Sequence, residues 1–184
     1  MERQDSKGKI IREVYPSEVV SIIGSLAAGI ILTLLILPFQ TFSILIIIVP
    51  ALLSLRGNIS GPFIARSSRD LIIGVFDFRN WLQNVAATYA LSIITSILIG
   101  ILAMILNLTV FKLFIIPHYL LILIPCISML MSISVSMPTS TLLNYLAFKF
   151  GFDPNNVVNP LMTAVDDFFS VVSFYLTLIL LGVP

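Results

Sequence analysis

The run VVSIIGSLAAGIILTLLIL, residues 19–37, carries no charged side chain and is followed at once by Pro38. Roughly 20 apolar residues at about 1.5 Å each are what an α-helix needs to cross a bilayer. Gly24, Ala27, Ala28 and Gly29 give this run a face of small residues suited to close helix packing. Working outward, four further stretches read as spans: about 41–65, 85–106, 119–138 and 157–181. Residues 142–148 either extend the fourth span or form a separate short helix. The expected fold class is all-α, a polytopic integral membrane bundle of five transmembrane helices.

Composition agrees. Of 184 residues, 58% are hydrophobic and 10% charged, and the mean hydropathy is +1.09. Soluble domains carry about 25% charged residues, so the solvent for most of this surface is membrane lipid. A formal net charge of +1 and the lack of a basic stripe argue against a nucleic-acid partner. Cys126 is the single cysteine, which rules out an intrachain disulfide and a cysteine-based metal cluster. It reads as a small packing residue. Residues 1–18 are polar and mixed in charge; they are expected to form a cytoplasmic N-terminal segment rather than a cleaved signal, with the membrane domain over 19–184.

Basic residues in short loops set orientation. Arg3, Lys7, Lys9 and Arg12 precede the first span, Arg66, Arg69 and Arg79 fall between the second and third, and Lys149 between the fourth and fifth. With five spans all of these lie on one side, against Lys112 on the other. The N-terminus is therefore expected in the cytoplasm and the C-terminus outside, in a multi-pass protein of the cell membrane.

Three constellations could carry chemistry. Asp166 and Asp167 lie two to three turns into the fifth span, where an ionised Asp costs about 2.5–3.5 kcal/mol on insertion scales and usually faces a bundle interior or a wet cavity. Adjacent residues point about 100° apart on a helix. Asp167 shares a face with Thr163, Pro160 and Asn156; Asp166 shares one with Met162, Ser170 and Ser173. The plain alternative is a carboxyl that is neutral or hydrogen-bonded to a neighbouring helix. The second constellation is Arg56-Gly57-Asn58-Ile59-Ser60-Gly61-Pro62. Pro62 frees the carbonyl four residues back, near Asn58, and broken backbone at membrane depth is tolerated where it is buried or lines a cavity. A helix-packing site with an interfacial Arg is the alternative. The third is the strip Ser128, Ser132, Ser134, Ser136, Thr139, Ser140 and Thr141, whose hydroxyls either line a pore or, the favoured reading, bond back to their own helix. His118 reads as a surface residue rather than a ligand.

Carboxylate, amide and carbonyl oxygens without a His or Cys cluster suit a hard cation, magnesium or calcium. Two other classes stand beside transport. A membrane-embedded enzyme would need acids on different helices or a spaced acidic cluster, and neither is present, so no catalytic residue and no cofactor is expected. A non-transporting assembly subunit would be held together by the Gly57/Gly61 and Gly24/Ala28 faces.

The stretch from Pro50 through Arg56, Gly57, Asn58 and Gly61 resembles the second-helix signature of MgtE-type magnesium transporters and MgtE-like solute carriers. Gly151-Phe152-Asp153-Pro154, followed by Pro160, Thr163 and Asp167, resembles the start of that family's fifth helix. The resemblance implies five helices per membrane domain and a pore between two such domains, lined by the second and fifth helices, with an aspartate binding hydrated Mg2+. It makes Asp167 that aspartate and puts Asn58 and Gly57 on the neighbouring pore helix, with Thr163 one turn before Asp167. Ala164 stands where the family often has a hydroxyl, and Asp166 is an added acid. The expected partners are lipid, a divalent cation as substrate, and a second copy or similar half, giving a homodimer or heterodimer. The chain reads as one membrane half without the cytoplasmic regulatory domains of bacterial MgtE.

Overall fold

The computed structural model of the chain describes residues 6–112 and 116–183. Residues 1–5, including Arg3 of the expected N-terminal segment, lie outside the described residues. Every regular element among those described is helical: α1 (Lys7–Thr33), α2 (Ile36–Thr41), α3 (Ile44–Ile72), α4 (Phe78–Leu106), α5 (His118–Lys149) and α6 (Pro154–Leu180), with a π-helical turn (Asn107–Phe111) continuing α4. Five of these helices are long and apolar enough to cross a membrane.

The helices are longer than the apolar runs that announce them. α1 starts well before Val19, because Ser6 caps it: the Ser6 Oγ accepts from the Lys9 amide at 3.3 Å. It closes at Thr33, short of Pro38. Leu34 N and Leu35 N turn back to the carbonyls of Ile31 and Leu32. Pro38 does not end the first span; it sits in the first turn of α2, where no backbone donor is required. α3 runs unbroken through Pro50 and Pro62 to Ile72, so the expected break near Asn58 does not occur. The helix also absorbs residues 66–72, expected as a loop, since Ser67, Ser68 and Asp70 are buried against its neighbours. Gly74, at φ +71°, makes the turn that follows. α5 carries Pro125 and Pro138 inside it and includes residues 142–148 in one continuous helix.

The start of α6 follows its local chemistry closely. Gly151, at φ +77°, reverses the chain. The Asp153 side chain then accepts from the Asn155 amide at 2.8 Å, with Pro154 at the first helical position. Glu13 of α1 joins the same corner. Its Oε2 accepts from Asn156 Nδ2 at 3.0 Å and from the Asp153 amide at 3.4 Å.

α6 packs against α1, α5 and α3, while α4 covers α3 and α5. Close approach depends on two glycines. A Cβ on Gly24 would overlap the Cβ of Ala164, and one on Gly100 would sit 2.6 Å from the Ile122 Cα of α5. The apolar core between α3, α5 and α6 includes Leu45, Ile48, Leu52, Ile124 and Phe174. Ile22, Leu26 and Ile30 of α1 and Ile94, Leu98 and Leu102 of α4 point outward, as lipid-facing residues do.

Candidate functional site

Charge inside the bundle is concentrated at one place. Arg56, on the inward face of α3, is completely buried, and Asp166 of α6 is 2% exposed. The Arg56 Nη2 donates to Asp166 Oδ1 at 3.0 Å, and the Arg56 Nε donates to the Ser132 Oγ of α5 at 3.0 Å. The Ser136 hydroxyl donates to the same Asp166 Oδ1. The Ser132 and Ser170 hydroxyls lie 3.1 Å apart. Three helices thus meet on a hydrogen-bonded ion pair, the condition under which an interior can hold two charges at all.

The alternative of an interfacial Arg56 is overturned: the guanidinium reaches inward because Asp166 is the charge that can compensate it. Asp166 was a candidate metal ligand, yet its Oδ1 is engaged by a cation and a hydroxyl that belong to the chain. The hydroxyl strip of α5 divides for the same reason. Ser128, Ser134, Thr139, Ser140 and Thr141 bond back to carbonyls of their own helix, as expected. Ser132 and Ser136, one turn apart on the buried face, serve the ion pair instead. One signal in the sequence could have found them: an arginine and two aspartates placed by different spans at membrane depth, where charges pair with each other.

Asp167 lives in a different setting. It is half-buried, and its Oδ2 accepts from the Ser25 Oγ of α1 at 2.8 Å. Ala164 faces Gly24 of the same helix, whereas Asp166 points to α3 and α5. At about 100° per residue, Thr163 falls on the arc between these contacts. It is exposed, with its hydroxyl donating to the Asn159 carbonyl at 3.1 Å. Asp167 therefore borders an open arc of α6 that no helix of the same chain covers.

Gly57 and Asn58 are also exposed. A Cβ at Gly57 would meet nothing within 4 Å. Asn58 lines a groove of about 370 Å³ between α3 and α4, with Pro62, Arg66, Asn84 and Thr88. No hydrogen bond among the described residues joins Asn58 or Gly57 to Asp167; within one chain the structure does not bring these candidates together. The outward side of α3 does have a distinctive chemistry. Between Ile47 and Ile72 it exposes no large hydrophobic residue. Pro50, Ser54, Gly57, Asn58, Pro62 and Ala65 are what it presents, with Arg69 at its end.

No three His, Cys, Asp or Glu side chains come together among the described residues. Of the two acids within α6, Asp167 is the accessible one, with the Ser25 and Thr163 hydroxyls near it on α1 and α6. That donor set suits an ion that keeps most of its water.

The model of the MgtE family, described as a divalent cation transporter, matches residues 49–177. The match covers more than half of the chain and takes in nearly all of α3 to α6, leaving α1 outside it. No curated protein matches the chain.

Proposed function

The chain belongs to the MgtE family of divalent cation transporters, and from that premise we propose that it carries Mg2+ through a pore formed by two such domains, with α3 and α6 facing the ion path. Divalent cation transport is the activity of the family, whose members are not enzymes. The ion, the pairing and the residues are our reading.

The observation that carries it is the uncovered side of α3. A helix surrounded by lipid presents large aliphatic side chains, as α1 and α4 do. α3 instead shows Ser54, Gly57 and Asn58 between the exposed Pro50 and Pro62, and Ala65 just beyond them. Small and polar side chains at this depth call for protein or water as neighbours. A second copy of this chain, or a similar half, laid against that side would bring two α3 faces and the Thr163–Asp167 arcs of two α6 helices around a common axis.

Asp167 is the residue we assign to the ion. It is partly accessible and its hydrogen bond is to a neutral hydroxyl. Thr163, Asn58 and the bare backbone at Gly57 are assigned to the water shell around it. Mg2+ dehydrates reluctantly and is commonly held through its waters by one or two carboxylates, and one Asp167 from each of two chains would supply that number. The starts of α1 and α6, joined through Glu13 and Asn156, lie at the end that also gathers Arg69 and Lys149 from the last turns of α3 and α5. The positive-inside rule assigns this end to the cytoplasm.

The test is flux. In liposomes containing the purified chain and an internal Mg2+ indicator, Asp167→Asn should lower Mg2+ entry by more than about tenfold while the protein still elutes as a folded species. Wild-type flux in that variant would refute the assignment.

A further inference from the structure

Stability is a weak account of the Arg56–Asp166 pair. Withdrawing two charges from water carries a penalty that their attraction often only offsets, and a well-packed apolar pair of similar volume serves as well or better. Here Arg56 Nη1 and Asp166 Oδ2 also have no hydrogen-bond partner among the described residues. The pair's distinctive effect is electrostatic and local. Asp166 and Asp167 are consecutive, so α6 presents two carboxylates within one turn. One is held by a guanidinium at 3.0 Å; the other is held by the neutral Ser25 hydroxyl at 2.8 Å. Arginine is the side chain best suited to remain a cation when buried, and on the rigid α3 it cannot leave with a permeating ion.

We infer that Arg56 is a specificity-determining residue, a tethered counter-cation that occupies Asp166 and leaves the permeating divalent ion only Asp167 in each chain. This rests on the reading of Asp167 as the ion's ligand. A hydrated ion touched by one carboxylate per chain is bound loosely enough to move on. With the guanidinium gone, the site would feel the uncompensated negative field of the buried Asp166, one residue away on α6. It would bind divalent ions more tightly, release them more slowly, and favour Ca2+, which exchanges water for carboxylate oxygen more readily than Mg2+. Arg56 is thus a positioning residue that acts through Asp166 and does not itself touch the ion.

The experiment measures the KM and maximal rate of Mg2+ and Ca2+ entry into liposomes holding the full chain. Arg56→Gln should lower the KM for Mg2+ about tenfold, reduce its maximal rate and raise the Ca2+ to Mg2+ ratio. Arg56→Gln with Asp166→Asn should bring all three back toward wild type. Arg56→Asp with Asp166→Arg keeps a pair but puts the guanidinium on α6 beside Asp167, and should raise the KM about tenfold. If Arg56→Gln alone does not fold, this exchanged pair still decides the matter. A purely structural pair leaves KM and the ion ratio at wild-type values in every variant that folds, and that result would overturn the inference. Asp167→Asn separates the two levels. Undiminished flux in it defeats the reading of Asp167, whereas silenced flux together with unmoved KM values for the Arg56 variants defeats only the inference about Arg56.

Discussion

Ser25 of α1 donates its hydroxyl proton to Asp167 of α6 across 2.8 Å, tying the half-buried carboxylate to a helix outside the family match. The bond leaves the carboxylate its second oxygen, Oδ1, and fixes the direction in which the side chain points. Ser25 is therefore placed to hold Asp167 ready without neutralising it.

Ser25→Ala should keep transport and weaken it. A neutral hydrogen bond contributes about 1 kcal/mol net, so the carboxylate gains freedom and its ion geometry loosens. The expected result is a KM for Mg2+ raised about threefold to fivefold, with a maximal rate close to wild type and a small loss of thermal stability. Asp167→Asn, by contrast, should lose the maximal rate. Liposome flux at graded Mg2+ concentrations distinguishes the two. Loss of transport in Ser25→Ala equal to that in Asp167→Asn would mean that the hydroxyl has a more direct role than positioning.

How α1 meets α6 leads to a second expectation. Gly24 has no room for a Cβ because Ala164 occupies the space, and Ala164 is part of the helix backbone wall rather than the end of a flexible side chain. Gly24→Ala should force the helices apart at the level of Ser25 and Asp167, costing about 1–3 kcal/mol, as overpacking does. Gly24→Ala with Ala164→Gly exchanges the methyl group across the contact and should recover most of the loss. Thermal melting followed by size-exclusion chromatography in detergent would read both. Additive losses in the double variant would show that α1 and α6 do not meet at this point in the membrane.

Much of this architecture was written locally. The apolar runs named five spans, and Gly151, Asp153 and Pro154 named the start of α6, because turn and cap preferences act over a few residues. The beginning of α1 was hidden. Lys7, Lys9, Arg12 and Glu13 read as a solvated tail, and it takes the contacts of Glu13 with Asp153 and Asn156, 140 and 143 residues away, to show that this charged stretch packs as a helix. The candidate site was half legible for a similar reason. Asp166 and Asp167 are conspicuous in an apolar span, but which of them is sequestered depends on the rotation of α3. Helical rotation is fixed by packing, and no pattern within α6 encodes it. Arg56 looked interfacial because Gly57 and Asn58 beside it face outward; one residue, about 100° of helix, separates a buried guanidinium from an open groove.

That open side of α3 supports a third expectation, which bears on the pairing of two domains. Gly57 is exposed and an added Cβ there touches nothing within 4 Å, so a cysteine at this position should fold normally. Cys126, the chain's only cysteine, is first replaced by Ser. In that background Gly57→Cys should form a disulfide-linked dimer in native membranes under mild oxidation, because the proposed pairing sets two α3 helices beside one axis. It should also react with a membrane-impermeant thiol reagent, and Mg2+ at saturating concentration should slow that reaction by about fivefold or more, because a bound ion fills the path. Gly100→Cys is the control, since its Cβ would strike Leu121 and Ile122 of α5 at 2.8 and 2.6 Å and should lower thermal stability without giving a cross-link. Free reaction of Gly57→Cys with a lipid-soluble reagent but not with the aqueous one would place this face against acyl chains. The small, polar side of α3 would then need a cover other than a second ion-conducting half.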